Sequence, residues 1–594
     1  MTITQRICAA TAVLIPVLPA IAGPGRKPPR FAASTKVVAS RVADYAEQAG
    51  RREILLTRDE IAALPVHTLH DLLALLPGVG LARRGAFGTQ ADLNLRGSTF
   101  EQALVLVNGI RVGNSQTGHF SLDLFIPIDA IERVEVLYGP GSAAYGSGAF
   151  GGAINIVTGV ETPVAHVGAG THRLAMGGVG APLGSGAWAS GERIVHTGFR
   201  DDTESAVNML AGGWRGRLGK GALEVAGAGG ERHFGAWRFY SNRFPLEGER
   251  TSGSLLTARL GVPLGSIHFA SYLRADRHLD TFVLDRSRPN WYVNHHRTDS
   301  VLAGATLSGE RNRWRWTAGA EGGRDNIDSS NLGRHHRVQT AVYGELGFFG
   351  TRGTFNLQAR LDHQQPWGAV TTLALGDSWR IGRGITLRAH SGQSFRAPSF
   401  TELDYCSPAT VGNPNLEPER GRTTEVGLDA GPWSLTAFHR SAHPLIDFVL
   451  AGDGVWRAQN VGGLTTNGIE VALSAPTAGP LLWQRVSAVW LDSNLSLISG
   501  RSAYALAHPR LEMAWTGAAR LGNTWSLGWA GRFRDPNDRG SWATLDLRLG
   551  RRILNGMKLI LEADNVLDRS VSELHGIPLP GRWISVRLDW RGDR

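Results

Sequence analysis

The chain has 594 residues, several times the ~100–200 of one soluble domain, so it holds either several small domains or one large architecture. Hydrophobic residues make up 42% of it, which excludes a disordered chain, and beyond the first twenty-odd residues no apolar run approaches the ~20 needed for a membrane-spanning helix. The 2 Cys exclude a disulfide scaffold, and the net charge of +10 comes from scattered arginines rather than from the clustered basic stripe typical of nucleic-acid binding.

Residues 1–22 have the pattern of an export signal. Arg6 precedes a short apolar stretch, and Ala20-Ile21-Ala22 provides a small-x-small cleavage site. Residues 23–34 are rich in Pro, Gly and Arg and predict a flexible leader. After cleavage near residue 23 the chain keeps one cysteine, Cys406, so no intramolecular disulfide is expected.

Residues 35–160 combine helix and strand signals. Thr57 and Glu60 form a capping box ahead of an apolar turn. Residues 68–76 predict a short apolar helix, and Asn108-Gly109 marks the turn of a β-hairpin. This region is expected to be a compact α+β domain.

Residues 161–594 predict strand after strand, with apolar and charged faces alternating. Near the C-terminus, Ile584, Val586 and Trp590 alternate with Ser585 and Arg587. Such alternation over hundreds of residues favours a transmembrane β-barrel, with lipid outside and water inside. About 430 residues suit 22 strands at roughly 20 residues each, and the 18 Trp suit aromatic girdles. A barrel of that size has a lumen wide enough to need a plug.

Several long motifs occur in an order that is typical of one family. They are Leu76-Pro77-Gly78-Val79, Asn94-Leu95-Arg96-Gly97, and the runs at 131–140, 142–146, 151–156, 394–400, 412–419, 460–462, 468–470 and 564–568. On these residues the chain resembles the TonB-dependent outer-membrane receptors over nearly all of its mature length. The stretch at 233–240 is similar to compact, cobalamin-receptor-like members.

The resemblance implies the fold and the activity together. We expect a mainly β protein, a 22-stranded antiparallel transmembrane barrel formed by residues 161–594, with the N-terminal α+β plug in its lumen. The family's activity is energised import of a scarce, large ligand across the outer membrane. That activity changes no covalent bond, so no enzyme and no cofactor are expected.

The family has a short extended segment, the TonB box, just before the plug. The best match is Thr35-Lys36-Val37-Val38-Ala39, although Ser34 stands where the family often has an acidic residue. TonB, working with ExbB and ExbD, would capture the box as an added strand of its own sheet. The alternative is an ordinary linker strand.

The resemblance also implies ion pairs between plug and barrel. Arg96 and Arg133 lie in plug motifs, and Glu425 and Glu470 match the barrel glutamates that pair with them in the family. The alternation around both glutamates predicts that they face the lumen. The alternative is that all four are solvated lumen charges.

Ligands of the family lie between apical plug loops and outer barrel loops. The corresponding plug loops here are 83–90 and 113–120. The candidate contacts are Phe87, Gln90, Asn114, Gln116, His119 and Tyr405.

The ligand itself stays open between cobalamin and a ferric siderophore. Haem receptors of the family usually carry an iron-binding His between the two mid-barrel motifs. Residues 399–411 of this chain contain no His, so the resemblance disfavours haem. Vitamin B12 receptors bind calcium through clustered acidic residues in their loops, and Asp201-Asp202 is the nearest match here. This match is too weak to predict whether the chain has a metal site.

The expected partners are TonB, outer-membrane lipid including lipopolysaccharide, and the extracellular ligand. We expect a monomer in the bacterial outer membrane, with no nucleic-acid partner. The alternatives are a passive porin, which needs neither plug nor box, and a surface receptor, adhesin or enzyme built on a barrel. His295-His296 and His335-His336 are the only hints of catalysis, and no hydrolase motif accompanies them.

Overall fold

The computed structural model describes residues 50–240, 243–475, 478–496 and 500–592. The predicted export signal, the leader and the TonB box lie outside the described residues. Within the described ranges, no helix is long and apolar enough to cross a membrane. Residues 50–158 form a small domain built on a mixed sheet, here called the plug, and the following strands form a closed barrel around it.

The plug is made of short strands and helices. Its strands are β1 (Glu53–Thr57), β2 (Val79–Arg83), β3 (Ala91–Leu95), β4 (Ala103–Val107), β5 (Ile110–Val112), β6 (Ile131–Tyr138) and β7 (Gly152–Thr158). Its helices are α1 (Arg58–Ala63), α2 (Leu69–Leu73) and α3 (Ser142–Tyr145), with 3₁₀ turns at Phe100–Gln102, Gly118–Phe120 and Ile128–Ala130. The sheet order is β1-β6-β7-β4-β5, which leaves β1 at an edge, and β2 pairs with β3 apart from it.

Local sequence explains where the plug helices begin. Thr57 caps α1 and Thr68 caps α2, each through a reciprocal capping box with the acidic residue three positions later. The hairpin between β4 and β5 turns at Asn108 and Gly109, whose φ angles of 51° and 75° suit a type I′ turn. The predicted helix at 68–76 is shorter than expected, because α2 ends at Leu73.

The barrel has 22 strands within the described residues. They are β8 (Val164–Gly170), β9 (Leu174–Gly184), β10 (Ala187–His196), β11 (Ser205–Leu218), β12 (Gly221–Gly235), β13 (Gly248–Leu264), β14 (Ile267–Val283), β15 (Val293–Arg311), β16 (Trp314–Ser329), β17 (Gly333–Phe349), β18 (Gly353–Gln364), β19 (Gly368–Gly382), β20 (Ile385–Arg396), β22 (Glu419–Ala430), β23 (Trp433–Ala442), β26 (Leu464–Ala475), β27 (Leu481–Leu495), β29 (Pro509–Leu521), β30 (Trp525–Pro536), β31 (Trp542–Leu554), β32 (Met557–Asp564) and β33 (Trp583–Arg591). Every pair is antiparallel, and β33 closes the barrel on β8.

The barrel wall has its apolar side chains on the outside and its polar side chains on the inside, the opposite of a water-soluble barrel. On β33, Val586 is 48% exposed on the outside, whereas Ser585 and Arg587 are 2% and 8% exposed on the inside. The plug core in turn packs against inward-facing wall residues such as Trp188 and Leu255. The polar inner face and the apolar outer face therefore fit a lipid-embedded cylinder filled by the plug.

The two ends of the barrel differ. Short turns such as 265–266 join strands at one end, and the plug enters β8 at this same end through residues 159–163. The other end has the long connections, including 397–418, 443–463 and 565–582. The connections 397–418 and 443–463 contain α4 (Phe400–Asp404), β21 (Thr410–Val411), β24 (Leu445–Leu450) and β25 (Trp456–Val461), and β28 (Arg501–Ser502) lies in the connection between β27 and β29.

Candidate functional site

Arg96 is the centre of a buried ion cluster between plug and barrel. Its Nε and one Nη donate to the two carboxylate oxygens of Glu470, at 2.9 and 2.7 Å. The other Nη donates to Glu425 at 2.5 Å. Burial alone would lower the pKa of the Arg96 guanidinium, but Glu470 and Glu425 raise it above its ordinary value. The structure therefore brings three of the four predicted residues together, with Arg96 held as a cation.

Aromatic rings hold the Arg96 guanidinium from two sides. Its carbon lies 4.7 Å from the ring centroids of both Tyr138 and Phe438. The Tyr138 hydroxyl donates to the Pro77 carbonyl, and the Arg96 amide donates to the Gly78 carbonyl at 2.8 Å. Three plug motifs recognised in the sequence thus converge on this one cation.

The fourth predicted residue, Arg133, requires a correction. Its guanidinium binds Glu132 and Glu135, at 2.6 and 2.7 Å. Arg133 lies five residues before Tyr138 on β6, which at about 3.3 Å per residue is roughly 17 Å away along the strand. That separation is too long for an arginine side chain to reach Glu470.

Arg52 occupies the place expected for Arg133. Its Nη1 donates to Glu470 at 2.7 Å, and its carbonyl accepts from the Tyr138 amide at 3.2 Å. We define Arg52, Arg96, Glu425 and Glu470 as the arginine–glutamate cluster. All four side chains are 4% exposed or less, so the cluster is buried between the plug and the wall.

The residues immediately before β1 are also fixed to the wall. Arg51 donates through Nε to His390 at 2.8 Å and through Nη2 to Gln358 at 3.3 Å. Gly50 packs so closely on the backbone of Asp377 and Ala389 that a Cβ there would lie 2.5 Å from their atoms. Any other side chain at position 50 would displace the segment from the wall.

A cavity of about 440 Å³ lies beside these anchors, between the plug edge and the wall. It is lined by Arg51, Arg52, Glu53, Ile54, Leu55, Arg388, Asp429, Ser434, Ala472, Ser474 and Arg485. The edge strand β1 forms its plug side, so withdrawal of β1 would widen the space next to the arginine–glutamate cluster.

Phe87, a predicted ligand contact, is buried in an aromatic cluster. Its ring lies 5.0 Å from His67, 5.7 Å from His196 and 4.9 Å from Trp583, measured between centroids. Burial would lower the pKa of His67, but Glu562 and Asp564 raise it to about 9. Phe87 thus seals the plug against β10 and β33 and is only 6% exposed.

Gln90 is fully buried in the same plug loop. Its amide oxygen lies 2.9 Å from the Tyr240 hydroxyl, which is also 2.9 Å from a Glu249 carboxylate oxygen. Tyr240 belongs to the connection 236–247, so this contact ties the plug to an outer loop.

The second plug loop, 113–120, reaches the long connection 397–418. The Ser115 and Gln116 carbonyls accept from the amides of Phe400 and Thr401, each at 3.0 Å. Asn114 accepts from the Gln116 amide at 2.9 Å and is half-buried, whereas Gln116 is buried. Of this pair, Asn114 is the one whose side chain can still meet a ligand.

His119 and Tyr405 are half-buried and lie on different contacts. The His119 ring stacks on Phe100 at 4.1 Å, and its Nδ1 lies 2.6 Å from Asp92. Tyr405 packs beside the cluster that contains Phe400, and burial together with Tyr292 raises its pKa to about 12. The six predicted contacts are therefore spread over several separate contacts among the plug, the wall and the outer loops.

A second salt-bridge group links loop 113–120 to the wall. Arg396 is bidentate to Glu402, at 2.7 and 2.8 Å, and donates through Nε to Glu419 at 2.8 Å. Glu101 accepts from the Gly118 amide at 2.8 Å and the Thr117 hydroxyl at 3.1 Å. Burial and then Glu402 raise the pKa of Glu101 to about 7, against the opposing pull of Arg396.

The described residues contain no group of three or more His, Cys, Asp and Glu side chains placed to hold a metal ion. Cys406 is exposed as a free thiol. Asp202, part of the weak calcium match, binds the Arg286 guanidinium.

Two protein-family models match the chain. One is described as "TonB dependent receptor-like, beta-barrel" and matches residues 185–566, which is more than half of the chain. The other is described as "TonB-dependent Receptor Plug Domain" and matches residues 46–153. The chain belongs to the TonB-dependent receptor family. The receptor is therefore an outer-membrane protein, and its family consists of receptors and transporters.

Curated relatives of the receptor include two proteins named "Vitamin B12 transporter BtuB". The one from Photobacterium profundum is 27% identical over 74% of this chain and 75% of its own length. The one from Vibrio vulnificus is 24% identical over 88% of each chain.

Solved structures similar to the receptor include siderophore receptors. The siderophore receptor PirA of Acinetobacter baumannii has a TM-score of 0.75 at 15% identity and covers 93% of this chain and 100% of its own. A mutant of the ferric enterobactin receptor PfeA of Pseudomonas aeruginosa, in complex with enterobactin, has a TM-score of 0.73 at 17% identity and covers 91% and 99%. At such identities the likeness establishes the fold alone.

Sequence reasoning missed two residues that join the plug to the barrel, Arg52 and Tyr240. Arg51-Arg52 is one of several arginine pairs in an arginine-rich chain, so nothing local distinguishes it. Tyr240 ends the stretch at 233–240 that resembles cobalamin-receptor-like members, and that stretch was the available signal.

Proposed function

We propose that the receptor imports a scarce, large ligand through the outer membrane, using energy delivered by TonB with ExbB and ExbD. The observation that carries this proposal is the arginine–glutamate cluster. It ties the plug to the wall through four buried charges, and Arg52 belongs to the segment that leads toward the box. Buried ion pairs position parts more than they stabilise them, which suits a plug that is seated at rest and releasable under force.

In this proposal TonB binds and pulls on the TonB box, Thr35-Lys36-Val37-Val38-Ala39. The box follows a proposed export signal at 1–22 and a proposed flexible leader at 23–34. Ten residues lie between Ala39 and Gly50, so the two are at most about 40 Å apart when the chain is extended. The family's barrels have short turns in the periplasm and long loops outside. Gly50 contacts Asp377 and Ala389, which lie in the halves of β19 and β20 that are closer to the short turn at 383–384. A pull from the periplasm would therefore reach Gly50 before the rest of the plug.

For the ligand we propose cobalamin, with a ferric siderophore as the alternative. The support for cobalamin is the two relatives named vitamin B12 transporter, which align over most of this chain. The support for a siderophore is the fold of the solved neighbours. In either case the ligand crosses unchanged, so we propose transport without catalysis.

The test is an uptake assay in cells that lack their own cobalamin transporter. Deleting residues 35–39 is expected to abolish uptake of labelled cyanocobalamin while purified protein still binds it. Uptake that survives the deletion would favour a passive porin. Binding without any uptake in the intact protein would favour a surface receptor or adhesin. Parallel binding of ferric siderophores to the purified protein decides between the two ligand classes.

A further inference from the structure

Glu249 and Asp280 are two buried carboxyl groups that meet inside the barrel. Glu249 lies on β13 and Asp280 on the neighbouring β14, and each is 4% exposed. Their side chains hydrogen bond to each other. A hydrogen bond needs a donor, and ionised carboxylates only accept, so at least one of the two groups is protonated. The pair therefore holds a proton.

Both carboxyl groups lie beyond the hydrocarbon part of the membrane. The strands β13 and β14 have 17 residues each, whereas a membrane-spanning strand needs about 9–11. Glu249 is the second residue of β13, and Asp280 is the fourth from the end of β14, both at the end with the long connections. Leu256, which faces outward and is 45% exposed, lies seven residues farther along β13. The pair is thus above the apolar band of the wall.

The arginines around the pair are already bound to other carboxylates. Arg232 on β12 donates to both oxygens of Asp123 in the plug, at 2.7 and 2.8 Å. Arg84 in the plug donates to both oxygens of Asp92, at 2.8 and 2.9 Å. These are the arginines whose charges act on Glu249. Each is neutralised by its own partner and leaves no full positive charge for the pair.

The histidines near the pair do not supply a positive charge either. His278 on β14 binds Asp123 through Nε2, at 3.1 Å. His296 on β15 lies 4.0 Å from Asp280, but burial and then His278 lower its pKa to about 4. Burial likewise lowers the pKa of His70 on α2, which faces Asp123, to about 4. Neutral rings at His296 and His70 cannot balance a second carboxylate.

The carboxyl oxygens themselves are short of donors. Among the described residues, Oε1 of Glu249 and Oδ1 of Asp280 are buried without a hydrogen-bond partner. An ionised carboxylate that is buried without donors or a counter-ion is costly, and two adjacent ones also repel each other. Loss of the shared proton would therefore force the two groups apart.

The pair is also the point where an outer connection is held on the plug. The hydroxyl of Tyr240, in the connection 236–247, lies 2.9 Å from Glu249 and 2.9 Å from Gln90 in plug loop 83–90. The Tyr240 amide donates to the Glu247 carboxylate at 2.9 Å. If Glu249 moved toward solvent, Tyr240 would lose the contact that places it against Gln90.

We propose that Glu249 and Asp280 form a proton-binding site that holds the connection 236–247 closed on the plug. With the proton bound, the two carboxyl groups stay together and Tyr240 stays between Glu249 and Gln90. Without the proton, the two carboxylates separate and the connection is released. The receptor thus keeps this connection closed in acidic surroundings and releases it in alkaline ones. The proposal is independent of the imported ligand and of TonB.

The direction of the pH dependence follows from the environment of the pair. Burial raises the pKa of the Glu249 carboxyl from 4.5 to about 7, and it raises the pKa of Asp280 well above its ordinary value. Because the closed-state pKa is raised, the stabilisation of the closed state is fully present below pH 4.5 and is lost as the pH rises through about 7. Between pH 5.5 and pH 9 the equilibrium for opening should therefore increase at least about tenfold.

The test is hydrogen exchange of full-length receptor in nanodiscs at pH 5.5 and pH 9, measured by mass spectrometry and corrected for intrinsic rates. The reporters are the amides of Ala236 and Tyr240, which both donate to Glu247.

Two variants replace the titrating groups by amides. Asp280→Asn can donate to Glu249 at every pH, and Glu249→Gln can donate to Asp280 in the same way. The matched control is Asp328→Asn, which removes an exposed carboxyl that binds Arg334 at 3.1 Å near the same end of the barrel.

In wild type and in Asp328→Asn, the reporter amides are expected to exchange at least tenfold faster at pH 9 than at pH 5.5. In Asp280→Asn and Glu249→Gln they are expected to exchange slowly and equally at both pH values. Equal exchange of wild type at the two pH values would overturn the proposal, even if neither variant folds. A pH difference that persists in either folded variant would overturn it too, because another group would then titrate.

Discussion

Arg52 and Arg96 donate to the same carboxylate oxygen, Oε2 of Glu470, each at 2.7 Å. Arg96 belongs to the plug interior, whereas Arg52 lies directly before the edge strand β1. A displacement of the N-terminal segment therefore removes one of the two arginines from the carboxylate before the plug interior moves. This shared oxygen couples the proposed point of pulling to the contact that seats the plug.

Glu470→Gln is expected to loosen the plug. It leaves two buried arginines with one carboxylate, Glu425, and breaking a buried pair typically costs about 3–5 kcal/mol. Hydrogen exchange of β1 and β6 amides would report the loss. The matched control is Glu231→Gln, which breaks an exposed pair with Arg250. It should change the opening free energy derived from hydrogen exchange by less than about 1 kcal/mol. Equal effects of Glu470→Gln and Glu231→Gln would contradict the assignment of the arginine–glutamate cluster as the contact that seats the plug.

Arg52→Gln is expected to lower the free energy of opening of β1 by about 2 kcal/mol. A hydrogen bond from a charged group to Glu470 is lost, but Arg96 still neutralises that carboxylate. Amides of β1 should then exchange roughly 30-fold faster, since 1.4 kcal/mol corresponds to a factor of ten. Arg133→Gln is the control, because Arg133 binds Glu132 and Glu135 instead. If Arg133→Gln loosened β1 at its Arg52 end and Arg52→Gln did not, the family-derived pairing would be right after all.

The packing of Glu101 near Glu402, where loop 113–120 meets the connection 397–418, is expected to depend on pH. Burial and Glu402 raise the pKa of Glu101 from 4.5 to about 7. Because the folded-state pKa is raised, the stabilisation is fully present below pH 4.5 and is lost as the pH rises through about 7. Glu402 lies in α4, and the amides of Phe400 and Thr401 in the same helix donate to loop 113–120. Corrected for intrinsic rates, these two amides should exchange faster at pH 8 than at pH 5.5. Glu101→Gln should remove this difference, and a difference that persists in the variant would locate the titration elsewhere.

Asn114→Asp separates a ligand contact from a structural role. Aspartate keeps the oxygen that accepts from the Gln116 amide, but it removes the exposed NH₂ donor. We expect the Kd for cyanocobalamin to rise about tenfold, or about 1.4 kcal/mol, with an unchanged melting temperature. An unchanged Kd would remove Asn114 from the ligand site.

Much of the fold could be predicted from local sequence. Each strand of a barrel wall has one side facing lipid and one facing the lumen, so apolar and polar residues alternate along its sequence. Such alternation is visible where Ile584, Val586 and Trp590 alternate with Ser585 and Arg587. Arg96 could be placed because its motif accompanies the family's plug.

The partners of side chains that cross between plug and wall could not be predicted. Whether Arg52 or Arg133 meets Glu470 depends on the position of each along the plug sheet, and the sequence motifs do not contain that distance. Phe87 and Gln90 looked like ligand contacts because they lie in an apical loop. Trp583 and Tyr240, distant in sequence, bury them instead.

In the proposed transport cycle, the segment before β1 must leave the wall before the ligand can pass. The direct measurement is uptake of labelled cyanocobalamin by a receptor carrying Arg51→Cys and His390→Cys in a Cys406→Ser background. A cleavable bifunctional thiol reagent joins the two positions, whose native side chains touch at 2.8 Å. Each single-cysteine variant treated with the reagent is the control. We predict that the cross-linked receptor binds cyanocobalamin but takes up none, and that cleavage restores uptake. Undiminished uptake with the cross-link in place would contradict the account.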